Sequence, residues 1–144
     1  MNPTSLCLKQ SDGGTIGDTA AILEGVDRNE FGILAGSIGF ARKHVSMGAI
    51  GCVGALANIL PGPCAKVLDQ TVSEASKIEM NDDLATVHDL VIQKHGVPGI
   101  KYGMDLVGFR GGRCREPLLP LNADAKREIQ ECMDDFQQKY PRTE

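Results

Sequence analysis

The sequence predicts an α/β fold in which a small parallel sheet is followed by a helical region. Three short apolar runs, at 5–8, 31–35 and 49–56, alternate with segments of helical periodicity. Such alternation with short connections is typical of a parallel sheet with right-handed crossovers. The runs lack alternating polar residues, which indicates strands that are covered on both faces. After residue 60 the apolar residues recur at helical spacing, which predicts helices only.

The first apolar run leads directly into a lysine. Residues 5–8 are followed by Lys9 and by a polar, glycine-rich turn at 10–14. The carboxyl end of a parallel strand is where α/β barrels carry their catalytic groups. A desolvated amine there loses its charge more easily and can then attack a carbonyl carbon. The alternative is a lysine that only begins a solvated loop, and this stretch alone leaves both interpretations open.

The connections between the predicted strands are helical in pattern. Thr15 or Asp18 can cap a first helix that runs to about residue 27, and a second helix is predicted at 38–47, stopped by Gly48. The third apolar run contains two glycines. Glycine weakens a strand and is typical of places where another backbone or a ligand comes close.

The second part of the chain is predicted to contain several helices. One opens at the Pro-Gly-Pro sequence of 61–63, and another begins at 81–83 and ends near residue 95. Residues 96–99 predict a turn, and 100–107 predict a short amphipathic helix.

An irregular basic loop precedes the last predicted helix. The arginines of this loop are Arg110, Arg113 and Arg115. They form either an anion site or, as we expect, a structural loop that pairs with helix ends or with a neighbouring subunit. Asn122 is predicted to cap a helix at 123–138, and 140–144 are predicted to fray.

Two further candidate sites are weaker than the lysine. The glycine-rich stretch at 11–17 precedes a helix and could cradle a phosphate. It lacks both the GxGxxG and the GxxxxGK[ST] patterns, which argues against that function. Cys114 has no nearby histidine to activate it as a nucleophile, and we expect a buried or half-buried thiol.

Composition excludes several classes of function. The net charge is −4 and the 15 basic residues are scattered, which disfavours nucleic-acid and membrane-surface partners. The five cysteines form no CxxC pair, and their odd number predicts reduced thiols in an intracellular protein. The three histidines lack HxH or HxxxH spacing, so no metal site is predicted. No stretch approaches the ~20 apolar residues of a membrane span.

The predicted architecture is unbalanced. Three parallel strands leave both edges of the sheet exposed, and so small an open sheet buries itself poorly. The sequence therefore predicts the second half of a larger fold.

Several blocks of the sequence resemble one family. Residues 8–14, 34–37 and 48–58 resemble, in order and spacing, the dihydrodipicolinate synthase / N-acetylneuraminate lyase family. The later matching positions are 96–101, Met104, Asp105, Gly108 and 111–118. The last of these blocks and the proline turn at 96–99 are most similar to the 4-hydroxy-2-oxoglutarate aldolase branch.

The resemblance implies a fold and a set of site residues. It implies strands six to eight of a (β/α)8 TIM barrel at 1–60, and a barrel-covering helix with a C-terminal helical extension at 61–139. Lys9 matches the lysine that forms a Schiff base with pyruvate or another 2-oxo acid. The matching substrate-binding positions are Ser11, Gly36 and Val53. The family uses neither a metal nor an organic cofactor and is often tetrameric.

The chain also departs from the family pattern. Gln10 replaces a usual acidic residue, and Gly14 stands where Asp or Asn is common. The proton-shuttling tyrosine and the carboxylate-binding motif belong to earlier strands, and Tyr102 and Tyr140 are misplaced to substitute for that tyrosine. Two hypotheses follow: an aldolase that requires the missing half of the barrel from another chain, or an inactive fragment that acts only through subunit association. The expected partner is a homo-oligomer or a complementing N-terminal half. We expect a cytoplasmic location, with a mitochondrial one as the alternative.

Overall fold

The structure is a computed structural model of the 144-residue chain and describes residues 7–11 and 16–141. The elements are β1 Cys7–Gln10, α1 Ile16–Gly25, β2 Gly32–Ala35, α2 Ile38–Met47, β3 Gly51–Cys52, a 3-10 turn Ala55–Asn58, α3 Pro61–Lys66, α4 Glu74–His88, a π-helical turn Asp89–Lys94, α5 Gly96–Leu106 and α6 Ala123–Lys139. The predicted α/β order, with three strands followed by helices, is confirmed.

The three strands form a parallel sheet in the order β1-β2-β3. Lys9 pairs with Leu34, and Leu34 pairs with Gly51, so these residues share one face of the sheet. The opposite face carries Ile33 and Ala35, which have no exposed surface. Helices α1 and α2 pack on that opposite face. The face with Lys9 is uncovered in the described chain, so the prediction that both faces are covered is wrong for it.

The third strand is shorter than predicted. Residues 49–56 form only Gly51–Cys52 and part of the following 3-10 turn. The Val53 N–H nevertheless donates to the Ala35 carbonyl oxygen at 2.8 Å, which extends the pairing by one residue. A Cβ built on Gly54 would stand 3.3 Å from the Ile38 nitrogen. The expectation that a glycine of this run marks a close backbone approach is therefore confirmed.

Most of the core lies in the helical region. One apolar cluster joins the buried face of β2 to helices α2 to α6. Its fully buried members include Ala35, Ala41, Leu56, Leu84, Val91, Ile129 and Met133. A second, smaller cluster of Leu23, Ile33 and Ala49 fills the space between α1 and the sheet.

The bounds of the first two helices agree largely with the prediction. Helix α1 ends at Gly25, slightly before residue 27. Asp18 lies in its first turn, where its negative charge interacts favourably with the positive end of the helix dipole. Thr15 lies outside the described residues. Helix α2 spans Ile38–Met47 as predicted, and Gly48 follows it with φ 116°, a left-handed conformation that favours glycine.

Two predicted boundaries in the helical region are wrong. Residues 81–83 lie inside α4, which begins at Glu74 because Ser73 caps it by accepting a hydrogen bond from the Ser76 N–H at 3.3 Å. Residues 96–99 are the first turn of α5 and not a separate turn. Gly99 is required there because a Cβ would overlap the Val91 carbonyl oxygen.

The final helix is capped as predicted. The Asn122 side chain accepts a hydrogen bond from the Ala125 N–H at 2.8 Å. Tyr140, predicted to fray, is held in place because its hydroxyl donates to Asp83 at 2.7 Å and its ring packs on Phe136. Of the helices at 16–141, none is both long and apolar enough to cross a membrane.

Candidate active site

The uncovered face of the sheet carries the predicted catalytic residue. Lys9 is the third residue of β1 and is exposed, together with Ser11 directly after the strand. The strand position predicted for this lysine is confirmed. The predicted desolvation of its amine is not present in the described chain, because nothing within 7–11 and 16–141 covers this face.

A buried hydrogen bond fixes the strand on its other side. The Gln10 side chain points away from Lys9 into the layer of helices, where it is 7% exposed. The Thr19 hydroxyl of α1, which is fully buried, donates to Gln10 Oε1. This contact holds the end of β1 against α1, and the alternation of side chains then places Lys9 on the open face.

Gly36 brings the end of β2 against the end of β1. A Cβ built on Gly36 would overlap the Gln10 carbonyl oxygen and would stand 2.7 Å from Ser11 Cα. Any side chain at this position would push the two strand ends apart. The structure therefore brings Lys9, Ser11 and Gly36 together at the carboxyl edge of the sheet.

Val53 lies at the same edge, directly after β3. Its side chain is 50% exposed. The preceding residue, Cys52, has its pKa raised by burial, an effect that the Lys9 ammonium group partly opposes. The Cys52 thiol thus stays protonated near neutral pH and is a poor nucleophile beside the lysine.

A histidine contact at this edge has no signal in the sequence. Ser37 follows Gly36, and its Oγ lies 3.1 Å from Nε2 of His88 at the end of α4. His88 Nδ1 lies 3.3 Å from Asp89 Oδ1. Ser37 and His88 are 51 residues apart, so only the tertiary fold brings them together.

Neither tyrosine considered in the sequence lies at this edge. Tyr102 is on α5, where the Lys126 ammonium group stands 5.6 Å from its ring centroid. Tyr140 follows α6, and burial together with the neighbouring Asp83 raises its pKa to about 12. At the end of α6, the Tyr140 hydroxyl donates to Asp83, away from Lys9.

The arginine-rich loop is held by its main chain, as expected of a structural loop. The Lys101 ammonium group donates to the Gly111 and Arg113 carbonyl oxygens at 2.7 and 3.1 Å. The Asp105 carboxylate accepts from the Gly111 N–H at 2.8 Å. Cys114 is half-buried and lines a cavity of about 640 Å³ between this loop, α5 and α6.

Two further candidate sites were considered in the sequence, a phosphate cradle and a metal site. The stretch at 11–17 considered as a phosphate cradle lies mostly outside the described residues. Across the described segments, no group of three or more His, Cys, Asp or Glu side chains is placed to hold a metal ion.

The sequence of the chain is similar to one enzyme family over most of its length. A sequence profile described as "Dihydrodipicolinate synthetase family" matches residues 6–136. The 4-hydroxy-tetrahydrodipicolinate synthase of Gluconacetobacter diazotrophicus is 32% identical over 104 residues, covering 69% of this chain and 34% of that protein. The chain spans about a third of the length of this relative.

Solved structures share the fold. The 2-keto-3-deoxygluconate aldolase of Sulfolobus sulfataricus, in complex with D-KDPG, superposes with a TM-score of 0.82 at 16% identity. This superposition covers 95% of this chain and 47% of that one. YagE of E. coli K12, solved in complex with pyruvate, gives a TM-score of 0.79 at 14% identity over 92% of this chain and 46% of its own.

These likenesses explain the open sheet. The neighbours are (β/α)8 TIM barrels of which the chain covers just under half, and its strands and helices match part of that barrel. In such a barrel one face of the sheet looks inward and the other is covered by helices, as here. With a profile match across 6–136, the chain belongs to the dihydrodipicolinate synthetase family of lyases and aldolases.

Proposed function

We propose that this chain carries the Schiff-base lysine of a pyruvate-type aldolase, and that Lys9 is that lysine. The observation that carries the proposal is the convergence of Lys9, Ser11 and Gly36 at the carboxyl edge of the open sheet face. An amine at this edge stands where barrel enzymes hold their reacting groups. The structures of YagE with pyruvate and of the Sulfolobus aldolase with D-KDPG support a 2-oxo acid as substrate.

The proposed chemistry needs only side chains. The uncharged Lys9 amine adds to the keto carbon of pyruvate, and loss of water gives a protonated imine. In cleavage, the protonated imine of the 2-oxo acid accepts the electron pair of the C–C bond that breaks and becomes an enamine. In condensation, the protonated imine of pyruvate first loses a proton from its methyl carbon, and the resulting enamine delivers the electron pair to the bond that forms. Ser11 contributes a hydroxyl for the substrate carboxylate, and Gly36 leaves room for the keto acid. Val53 directs its main-chain carbonyl toward the site.

The pocket needs groups beyond this chain. We propose that 1–60 supply strands six to eight of the barrel, and that 61–139 supply the covering helix and a C-terminal extension. A proton shuttle and further carboxylate donors would then come from the other five strands, in a complementing N-terminal half. The blocks at 96–101 and 111–118 favour 4-hydroxy-2-oxoglutarate as the substrate, with cleavage that releases pyruvate.

Trapping of the imine tests this proposal. With the complementing N-terminal half present, incubation with pyruvate and borohydride is expected to add a reduced pyruvyl group selectively at Lys9, because an amine in a closed pocket outcompetes the solvated lysines. Lys9→Arg should abolish the adduct, since a guanidinium group is not a nucleophile at this pH. Lys43→Arg is the matched control, because Lys43 lies on the exposed side of α2, and this variant should label as the unaltered protein does. A peptide map with no adduct at Lys9, or with adducts spread evenly over the lysines, contradicts the proposal.

A second candidate function rests on the exposed apolar side chains of the sheet. Ile50 and Val53 are 67% and 50% exposed, and β1 and β3 are unpaired edges of the described sheet. Such edges favour association with another chain. A chain that associates through them without labelling at Lys9 would be an inactive fragment that acts only through subunit contacts.

A further inference from the structure

We propose that His88 is a positioning residue that holds the Gly36–Ser37 turn against the strand carrying Lys9. This inference rests on the proposed function, because the position of the turn matters for catalysis only if Lys9 reacts. His88 belongs to α4, outside the sheet. Among the described residues, its ring contacts the edge of the site through Nε2, which lies 3.1 Å from Ser37 Oγ.

The Ser37 side chain does not cap its own helix. Ser37 is the N-cap residue of α2, a position where a serine hydroxyl usually accepts a hydrogen bond from the first turn of its own helix. Here the Ser37 side chain makes no capping hydrogen bond, and its Oγ faces the His88 ring instead. The serine therefore connects two helices and does not stabilise its own.

The orientation of the His88 ring suits it to accept a hydrogen bond from Ser37. His88 is 7% exposed, and its Nδ1 lies 3.3 Å from the carboxylate of Asp89. A carboxylate beside Nδ1 favours the tautomer with the proton on Nδ1, which leaves Nε2 to accept from the Ser37 hydroxyl. The close packing of α2 on α4 supports the same geometry, since a Cβ built on Gly39 would stand 3.9 Å from the Ala85 Cβ.

Backbone packing connects Ser37 to the strand that carries Lys9. Ser37 follows Gly36, which lies so close to β1 that a Cβ would overlap the Gln10 carbonyl oxygen and approach Ser11 Cα. A shift of the turn therefore moves the backbone at Gln10 and Ser11, directly after Lys9. Reacting groups that are misplaced by even a fraction of an ångström lose rate steeply.

The test compares two buried histidines. His88→Leu and Ser37→Ala are expected to slow borohydride trapping of pyruvate at Lys9 by roughly tenfold. His88→Gln, which keeps an acceptor near the Nε2 position, should restore the rate to within about twofold of the unaltered protein. His44→Leu is the matched control, because His44 is 2% exposed on α2 and neither of its ring nitrogens has a hydrogen-bond partner among the described residues. It should leave the trapping rate unchanged.

A readout without pyruvate separates this inference from the proposed function. Hydrogen exchange of a peptide spanning Cys7–Gln10 and Ser11 should quicken in His88→Leu and Ser37→Ala, but not in His88→Gln or His44→Leu. If the unaltered chain forms no imine while this exchange pattern appears, the proposed function fails and the positioning contact stands. Equal exchange in His88→Leu and His44→Leu would overturn the positioning role. Labelling of Ser37 by a fluorophosphonate would also overturn it, because Ser37, His88 and Asp89 would then act as a nucleophilic triad.

Discussion

The sheet and the helical region differ in how completely they bury their apolar side chains. In the helical region Leu84, Ile129 and Met133 have no exposed surface. In the sheet one face is closed by α1 and α2, while Ile50 and Val53 at its open side remain exposed. The helical region therefore buries its own apolar core, whereas the sheet buries apolar side chains on one face only.

The largest expected effect contrasts one residue from each region. Leu84→Ala should lower the free energy of unfolding by about 3 kcal/mol, because it opens a cavity among side chains that have no exposed surface. Val53→Ser, on the open face, should change it by less than about 0.5 kcal/mol at protein concentrations low enough to keep the chain monomeric. Urea denaturation of the two variants measures both values. Similar losses in the two variants would show that the sheet face is covered in solution.

Hydrogen exchange sharpens the same comparison along the whole chain. Amides of the helices between Pro61 and Gln138 should exchange at least roughly tenfold more slowly than those of the strands, because protection follows the burial of each cooperative unit. Mass spectrometry of peptides from the exchanged protein gives this ratio. Slower exchange at 31–35 and 50–55 than in the helices would mean that the strands have partners beyond those described.

The smallest expected effect concerns an ion cluster at the end of α6. Asp83 accepts hydrogen bonds from Lys139 and Tyr140 at 2.6 and 2.7 Å. Burial opposes ionisation, but these hydrogen bonds outweigh it and hold the pKa of Asp83 below its ordinary value of 3.8. A carboxyl group whose pKa is lowered by folding stabilises the fold at every pH above its ordinary, unfolded pKa. This stabilisation disappears as the pH falls through the pKa of the folded state.

Asp83→Asn tests this contribution. Near neutral pH the variant should be less stable by about 0.5 kcal/mol, a small value because the pair is largely solvated. As the pH falls from neutral through the lowered pKa, the carboxyl group becomes protonated and the difference should disappear. Thermal unfolding across this pH range, with Asp82→Asn on the same helix as control, measures the effect. A difference that is constant with pH would contradict the electrostatic explanation.

Local signals predicted much of the fold. Helix α2 was predictable because apolar periodicity ends at a glycine that takes a positive φ, and α6 because Asn122 is a strong cap. The start of α4 was misplaced because the polar residues at 81–83 resemble a cap, while the true cap, Ser73, lies in a less conspicuous stretch. The glycines and proline at 96–99 predict a turn, whereas the packing of Gly99 against Val91 inside a helix depends on tertiary contact and has no local signal.

The candidate site was predictable only in part. Lys9, Ser11, Gly36 and Val53 all lie at the carboxyl ends of strands, which strand order alone brings to one edge. The contact between Ser37 and His88 joins residues 51 positions apart, and nothing in either local sequence indicates it. The sequence leaves the exposure of Lys9 open, and the described chain shows the lysine exposed because three strands cannot close over that face of the sheet.

We propose that the open face with Lys9 is one part of a pocket that the remaining barrel strands complete. The direct measurement combines light scattering with a coupled pyruvate-release assay on 4-hydroxy-2-oxoglutarate. It is made on the chain alone and on the chain with a polypeptide of the five preceding barrel strands. Alone, the chain should be oligomeric or aggregated and inactive, because three strands cannot close a barrel. With the second polypeptide it should become soluble and release pyruvate, and Lys9→Arg should abolish that release. A soluble, cooperatively folding monomer that turns over substrate alone would contradict the claim.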